Sequence, residues 1–404
     1  MKIITAVLAA FILLLPALPT IAQDTPQVTA VQTRAFDVWV AAFRPRALSA
    51  GISANTFDRA FRGVALNPRV IQHDQYQPEF NKPIWEYLDT SVADSRVTNG
   101  RQNLRAKRNL LRRIERQYGV QAEVLTAIWG IESNYGQNRG SFSVIEALAT
   151  LAFDGRRRRY GEGQLIAALH VLQNGDTTAA RMMGSWAGAM GHTQFIPTSY
   201  QAYAVDWTGN GRRDIWAENP ADALASAANY LNEHGWHSGD PWGVEIVLPD
   251  GFDYALVDVK NKQPVSYWNR LGVRTAQGGR LPNHGAAALL LPAGGDDPVF
   301  AIYHNFNVIL RYNNAVSYAL SIGHLSDRIA GGTPFVTPWS RNSFSLTQTQ
   351  IAELQTLLTS KGFSTNGVDG VAGANTRSAI IAYQRSAGLT ADGFASTALL
   401  EALR

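Results

Sequence analysis

Hydrophobic positions along the first half of the chain recur at spacings of three and four. Between Val28 and about Tyr230 this is visible in Leu110, Leu111 and Ile114 and again in Val124, Leu125 and Ile128, the period at which one face of an α-helix is apolar. From Pro241 to about Phe300 the texture changes. Short apolar or alternating runs, such as Val244-Glu245-Ile246-Val247-Leu248, Leu289-Leu290-Leu291 and Val299-Phe300-Ala301-Ile302, are separated by proline and glycine, which predicts a small β-rich insertion at about 241–302. Helical spacing returns from Tyr312 to Ile329. Gly331-Gly332-Thr333-Pro334, with Pro338 after it, then reads as a linker over 333–342 into a last unit. The expected architecture is mainly α, with a helical region and its β-rich insertion across 23–332 and a separate small helical domain at 343–404.

That last unit contains an internal echo. Val368-Asp369-Gly370-Val371-Ala372-Gly373, followed by Thr376 and Ala379, is matched by Ala391-Asp392-Gly393-Phe394-Ala395, followed by Thr397 and Leu400, so two helix-loop units of similar design are implied. The Asp-Gly pairs are turn signals in their own right. The order Leu354-Gln355, Asp369-Gly370, Gly373 to Ala379, Tyr383-Gln384 and Asp392-Gly393 resembles the peptidoglycan-binding-domain-1 family, which implies a three-helix wall-binding module.

The chain opens with Lys2, an apolar run from Ile3 to Leu15, Pro16 and Pro19, and the small-residue pattern Thr20-Ile21-Ala22 before Gln23. Residues 1–22 therefore read as a cleavable signal peptide and not as a membrane span, since the apolar stretch is short and ends in proline. With no cysteine, neither a disulfide nor a lipid-bearing thiol is expected, and the exported product should be soluble in the periplasm. A net charge of +4 on 404 residues, with 17% charged residues, suits an anionic partner such as cell wall and does not call for nucleic acid. The basic run over Arg101, Arg105, Lys107, Arg108, Arg112, Arg113 and Arg116, and the four arginines Arg156 to Arg159, read as solvated helix faces, the alternatives being a binding patch for the first and a hold on anionic substrate for the second.

Chemistry concentrates in Ala127-Ile128-Trp129-Gly130-Ile131-Glu132-Ser133-Asn134-Tyr135-Gly136. Helical geometry sets Ile128 and Trp129 one turn before Glu132 on the same face, so its carboxyl should be desolvated and hold its proton to unusually high pH. Glycosidic cleavage needs such an acid to protonate the leaving oxygen. The usual second carboxylate has no counterpart near Glu132 in sequence, although folding could bring one in. A second stretch, Gly184 to Tyr200, interleaves small residues with Ser185, Gln194 and aromatic rings, a composition suited to holding sugar. Ser185 is not at the centre of a G-x-S-x-G elbow, which disfavours a serine hydrolase.

Taken together, Ala127 to Gly136, Gly184 to Tyr200, Tyr203-Ala204-Val205-Asp206 and Ala228-Asn229-Tyr230-Leu231 resemble the lytic murein transglycosylase B family over roughly residues 30 to 330. The resemblance implies a lysozyme-like catalytic core in which Glu132 is the sole acid and base. It implies a glycan cleft lined by Ser185, Gln194, Tyr230, Tyr312 and Asn313, with Tyr87 as a further candidate. The family's reaction protonates the oxygen between N-acetylmuramic acid and N-acetylglucosamine and then closes a 1,6-anhydro ring, consuming no water.

Asp206-Trp207-Thr208-Gly209-Asn210-Gly211-Arg212-Arg213-Asp214 has the oxygen-bearing positions and the glycine of an EF-hand start. Ala217 stands where that loop needs glutamate. Two readings remain open: a structural calcium held by Asp206, Thr208, Asn210, the Arg212 carbonyl, Asp214 and Asp222, the last implied by the resemblance, or a metal-free turn braced by Asp206 and Arg213. No cofactor is required by the reaction. His234 and His237 have no H-E-x-x-H context, so a zinc amidase is disfavoured. The alternatives to a lytic transglycosylase are a hydrolytic muramidase using the same Glu132 and a catalytically silent wall-binding protein.

Overall fold

The computed structural model describes residues 28–75, 83–341, 344 and 346–404; the signal-peptide expectation for residues 1–22 lies outside them. The fold is mainly helical. Among the described residues no helix is long and apolar enough to cross a membrane. The first helix, Ala30–Ser49, is closed by a capping box in which Thr29 and Gln32 satisfy each other's backbone N–H groups, the arrangement that fixes a helix start. The helices Ala122–Ser133 and Val144–Asp154 are buried nearly all round, as expected of a bundle centre. Val316–Ala330 packs against the former and His304–Tyr312 against Val316–Ala330.

Two short strands, β1 (Phe142–Ser143) and β2 (Met183–Gly184), pair antiparallel beside the bundle. The insertion forms a second sheet from β3 (Gly243–Val247), β4 (Gln263–Pro264), β5 (Arg274–Thr275), β6 (Ala286–Leu290) and β7 (Val299–Ile302), in the order β4-β6-β7-β3-β5 with antiparallel neighbours. Side chains alternate across a strand. In β6 and β7, Ala288, Leu290, Phe300 and Ile302 enter the main helical core, while Ala287, Leu289, Val299 and Ala301 enter a second core around Trp268 and Tyr303. Burial on both faces explains why these segments read as unbroken apolar runs.

The C-terminal domain consists of the helices Gln348–Ser360, Ala374–Ser386 and Thr397–Leu403 around its own core of Leu354, Leu358, Ile380 and Leu400. Its sequence echo has a physical cause. The buried Gln355 amide accepts from the N–H groups of Asp369 (3.0 Å) and Gly370 (2.9 Å) and donates to the Asp369 carboxylate at 2.7 Å. Gln384 repeats part of the pattern, donating to the Asp392 carboxylate at 2.7 Å and accepting from the Gly393 N–H at 2.8 Å. Gly370 and Gly393 sit at φ 70° and 71°, where a side chain would be strained.

The segment predicted as a linker is strapped down. Phe335 stacks on His324 at 3.7 Å, the N–H groups of Val336 and Thr337 donate to the buried Glu245 carboxylate at 2.7 Å each, and Ser340 is held by Asp297. The C-terminal domain then docks on the insertion. Arg377 donates to the carbonyls of Val257 (2.5 Å) and Tyr254 (3.0 Å), and the Gly295 N–H donates to Asp392 at 2.8 Å.

Candidate active site

Glu132 lies one residue before the end of Ala122–Ser133, and the chain leaves that helix abruptly. Asn134 (φ 48°), Tyr135 (φ 59°) and Gly136 (φ 87°) are consecutive left-handed residues, a conformation that persists for non-glycine residues only where surroundings enforce it. The enforcement is visible. The Tyr135 hydroxyl donates to the Arg96 carbonyl at 2.7 Å, and its ring lies so close over Gly130 that a Cβ there would stand 2.7 Å from it. Ser133 donates to the His192 carbonyl at 2.6 Å, and a Cβ at Gly136 would strike the His192 ring. Trp129 Nε1 donates to His192 Nδ1 at 3.1 Å, which leaves Nε2–H to donate to the Ala217 carbonyl at 2.7 Å. Burial keeps the His192 proton affinity low, so the ring is a neutral brace between the Glu132 turn and the Gly184–Tyr200 loop.

The Glu132 side chain emerges from this braced turn half-buried. Burial pushes its pKa up to about 7, against the opposing effect of a Tyr318 hydroxyl that donates to Oε1 at 2.6 Å. Among the described residues no arginine or lysine pairs with Glu132, and no Asp or Glu contributes to the shift. Ile128 and Trp129 are buried as expected, yet Trp129 turns to His192, and the groups against the carboxyl are tyrosines from helices far along the chain. Tyr318 escaped the sequence reading. Its only local mark is a position six residues after Tyr312.

The cleft candidates gather unevenly. Tyr312 raises its hydroxyl to the Thr193 carbonyl (2.6 Å), is close enough to Glu132 for the carboxylate to oppose its ionisation, and packs its ring on Phe195, Tyr230 and Tyr318. Tyr230 donates to the Arg311 carbonyl at 2.5 Å, fixing the turn at Tyr312. Tyr87 is near enough to Tyr318 to affect its ionisation. Gln194 (φ 50°) spends its amide N–H groups on the Gly191 and Arg139 carbonyls (2.8 and 3.3 Å), which leaves its own carbonyl as an acceptor. Ser185 Oγ accepts from the N–H groups of Ala187 and Ala189, at 3.3 and 3.0 Å, and so retains its proton to donate. Asn313 is exposed at the end of His304–Tyr312.

These features decide the family. A transglycosylase SLT domain model matches residues 35–327, and a peptidoglycan-binding domain model matches residues 347–403. The chain belongs to the transglycosylase SLT domain family. It is 34% identical over 251 residues to the membrane-bound lytic murein transglycosylase B of Escherichia coli K12, an alignment covering 60% of this chain and 66% of that protein, just under two thirds of its length. The solved structure of SltB3 from Pseudomonas aeruginosa in complex with NAG-anhNAM-pentapeptide superposes with a TM-score of 0.85 at 48% identity, over 91% of this chain and 99% of that one. The same protein in complex with NAG-NAM-pentapeptide matches equally. Slt35 of E. coli in complex with calcium matches with a TM-score of 0.61 at 29% identity, over 74% of this chain and 93% of that one.

In this transglycosylase domain the Asp206 loop is held by hydrogen-bond donors. Asp206 accepts from the N–H groups of Gly209 (2.8 Å), Asn210 (3.1 Å) and Gly211 (2.7 Å) and from the Thr208 hydroxyl, while Asn210 accepts from the Arg212 N–H at 2.9 Å. The buried Asp222 accepts from the N–H groups of Trp207, Thr208 and Asp214. Asp214 pairs with Arg181 at 2.9 Å. Among the described residues no group of three or more His, Cys, Asp or Glu side chains is placed to hold a metal ion. The expected Asp206–Arg213 brace is not formed either, because Arg213 makes a two-pronged pair with Asp176, its Nη2 at 2.7 Å. His237 stacks on His304 and faces Asp240.

Proposed function

We propose that this chain is a lytic transglycosylase that cleaves the β-1,4 bond between N-acetylmuramic acid and N-acetylglucosamine of peptidoglycan with Glu132 as its one acid and base. The observation that carries the reading is a half-buried carboxyl desolvated enough to hold its proton to about pH 7, with Tyr318 on one oxygen and no second carboxylate acting on it among the described residues. With Oε1 engaged by Tyr318, Oε2 delivers the proton to the bridging oxygen as the bond to the muramic C1 breaks. The Tyr318 O–H then stabilises the carboxylate. That carboxylate takes the proton of the C6 hydroxyl while O6 bonds to C1, which returns Glu132 to its starting state and leaves a 1,6-anhydro end. An acid whose proton affinity lies near the working pH can serve both steps.

Around it, Ser185 supplies a hydroxyl donor, Gln194 a carbonyl acceptor, Asn313 an exposed amide and Tyr87, Tyr230 and Tyr312 the aromatic wall for the glycan. The SltB3 complexes with a disaccharide-pentapeptide and its anhydro form support this substrate class. We assign the protein to the periplasm after loss of residues 1–22, with the C-terminal domain holding the wall, and no cofactor in the reaction. Mass analysis of digested sacculi tests the reading. Glu132-dependent products lighter by one water than hydrolytic muropeptides are expected. Products of hydrolytic mass would make the protein a muramidase, and sacculus clearing unchanged in Glu132→Gln would remove the enzyme.

A further inference from the structure

The arginine-rich run does more than face solvent. The helix Asp94–Ala106 gives way at Lys107 to Arg108–Tyr118, and the loop leading to Ala221–Glu233 lies alongside the junction. Between them is a groove of about 610 Å³ lined by Arg105, Lys107, Arg108, Arg113, Trp207 and Asn219. Several arginines elsewhere are held by partners: Arg156 and Arg157 converge on the buried Asp74, Arg213 on Asp176, Arg139 on Glu218, and Arg101 on the Arg328 carbonyl. None of the groove's four cations forms an ion pair among the described residues. The first turn of Arg108–Tyr118 holds no acid, although acids are what stabilise that end of a helix. Like charges gathered in one groove repel, so the arrangement costs stability that no ion pair within the groove offsets.

Trp207 provides the groove with an aromatic floor. It is half-buried, with the Arg113 guanidinium 5.5 Å from the ring centroid and Tyr118 at 6.2 Å. The cations are spread over two helices and do not focus on one point, which matches several spaced carboxylates better than a single anion. None of the groove's lining residues is a glycan-cleft candidate, and its Asn219 edge leads to the brace behind Glu132. Asn219 comes two residues after Ala217, whose carbonyl holds His192, a chain distance of at most about 7 Å.

We propose that this groove is a second wall-binding site that takes the carboxylate-bearing peptide stems of peptidoglycan, with Trp207 packing against the stem or its sugar. The inference rests on the wall-substrate reading above. The test uses the full chain carrying Glu132→Gln, so that sacculi survive, with and without the triple change Arg105→Gln, Arg108→Gln, Arg113→Gln. Cosedimentation with intact sacculi should weaken about eightfold, since each exposed charge pair contributes roughly a factor of two. Sacculi stripped of stems by an amidase should bind both proteins equally, and the corresponding triple lysine variant should bind intact sacculi like its parent. Unchanged binding to intact sacculi overturns the proposal. So does an equal loss on stem-free glycan, or a loss confined to anionic lipid vesicles or RNA. The active parent's release of anhydro-muropeptides is scored separately, so a failure of the enzymatic reading is seen apart from a failure of the groove.

Discussion

Replacing Glu132 by glutamine should make the folded protein more stable at alkaline pH while abolishing cleavage. Burial holds the Glu132 proton to about pH 7, against an ordinary value of 4.5. Between these pH values the folded state keeps a proton that the unfolded chain has released. Stability therefore falls as pH rises through this window, and the whole cost is present above it. At about 1.4 kcal/mol per pH unit, the span corresponds to about 3 kcal/mol, an upper value because part of the residue remains exposed. Glutamine keeps the shape and an oxygen for the Tyr318 hydroxyl but never ionises. At pH 8 the variant should melt roughly 5 °C above its parent, and the two should converge below the ordinary carboxyl pKa. Thermal unfolding of both proteins across pH 4 to 9 reads this directly. A difference that does not change with pH would refute the claim that this carboxyl is desolvated, whatever the loss of activity.

Tyr318→Phe removes the donor that favours the Glu132 carboxylate, so the alkaline fall in cleavage should move up by roughly one pH unit and the optimum rate should drop about tenfold; a pH profile of anhydro-muropeptide release with the limb unmoved would count against the contact. Gln355→Leu leaves the N–H groups of Asp369 and Gly370 without their acceptor and should destabilise the C-terminal domain by about 3 kcal/mol, seen as lost sacculus binding and an earlier melting transition. Calcium in place of a chelator should move the melting temperature by no more than about 1 °C, because the Asp206 and Asp222 carboxylates are engaged by N–H donors and Asp214 by Arg181; a rise of several degrees would reveal a site that rearranges to bind.

Glu132 and the loops around it could be found in the sequence because their signals are local: helical spacing before the acid, glycines where chains approach, and a periodic return of Gln and Asp-Gly in the last domain. The groups that decide the acid's behaviour are not local. Tyr318 lies 186 residues from Glu132 in the chain, and only the packing of two helices brings them together. The same limit misdirected Arg213, whose partner Asp176 is 37 residues upstream and not in its own loop. Arg156 and Arg157 read as solvated charge, yet Asp74 is buried beneath them. An ion pair across distant segments leaves no period to detect.

The apparent linker shows how far such distant contacts reach into the site. The helix Val316–Ala330 carries Tyr318 in its first turn and His324 and Asp327 further along. Asp327 accepts from Trp242 Nε1 at 2.8 Å, just before β3, and His324 stacks on Phe335 of the strap. Burial raises the Asp327 pKa to about 6 and lowers that of His324 to about 3, so both are embedded where the insertion and strap close over the helix. The helix that aims a hydroxyl at Glu132 is thus held at its far end by the insertion and by the segment leading to the wall-binding domain. A helix moves largely as a rigid rod over this length. Loosening the strap should therefore be felt at the Tyr318–Glu132 contact, and the β-rich insertion is part of the acid's positioning as well as a platform for the C-terminal domain.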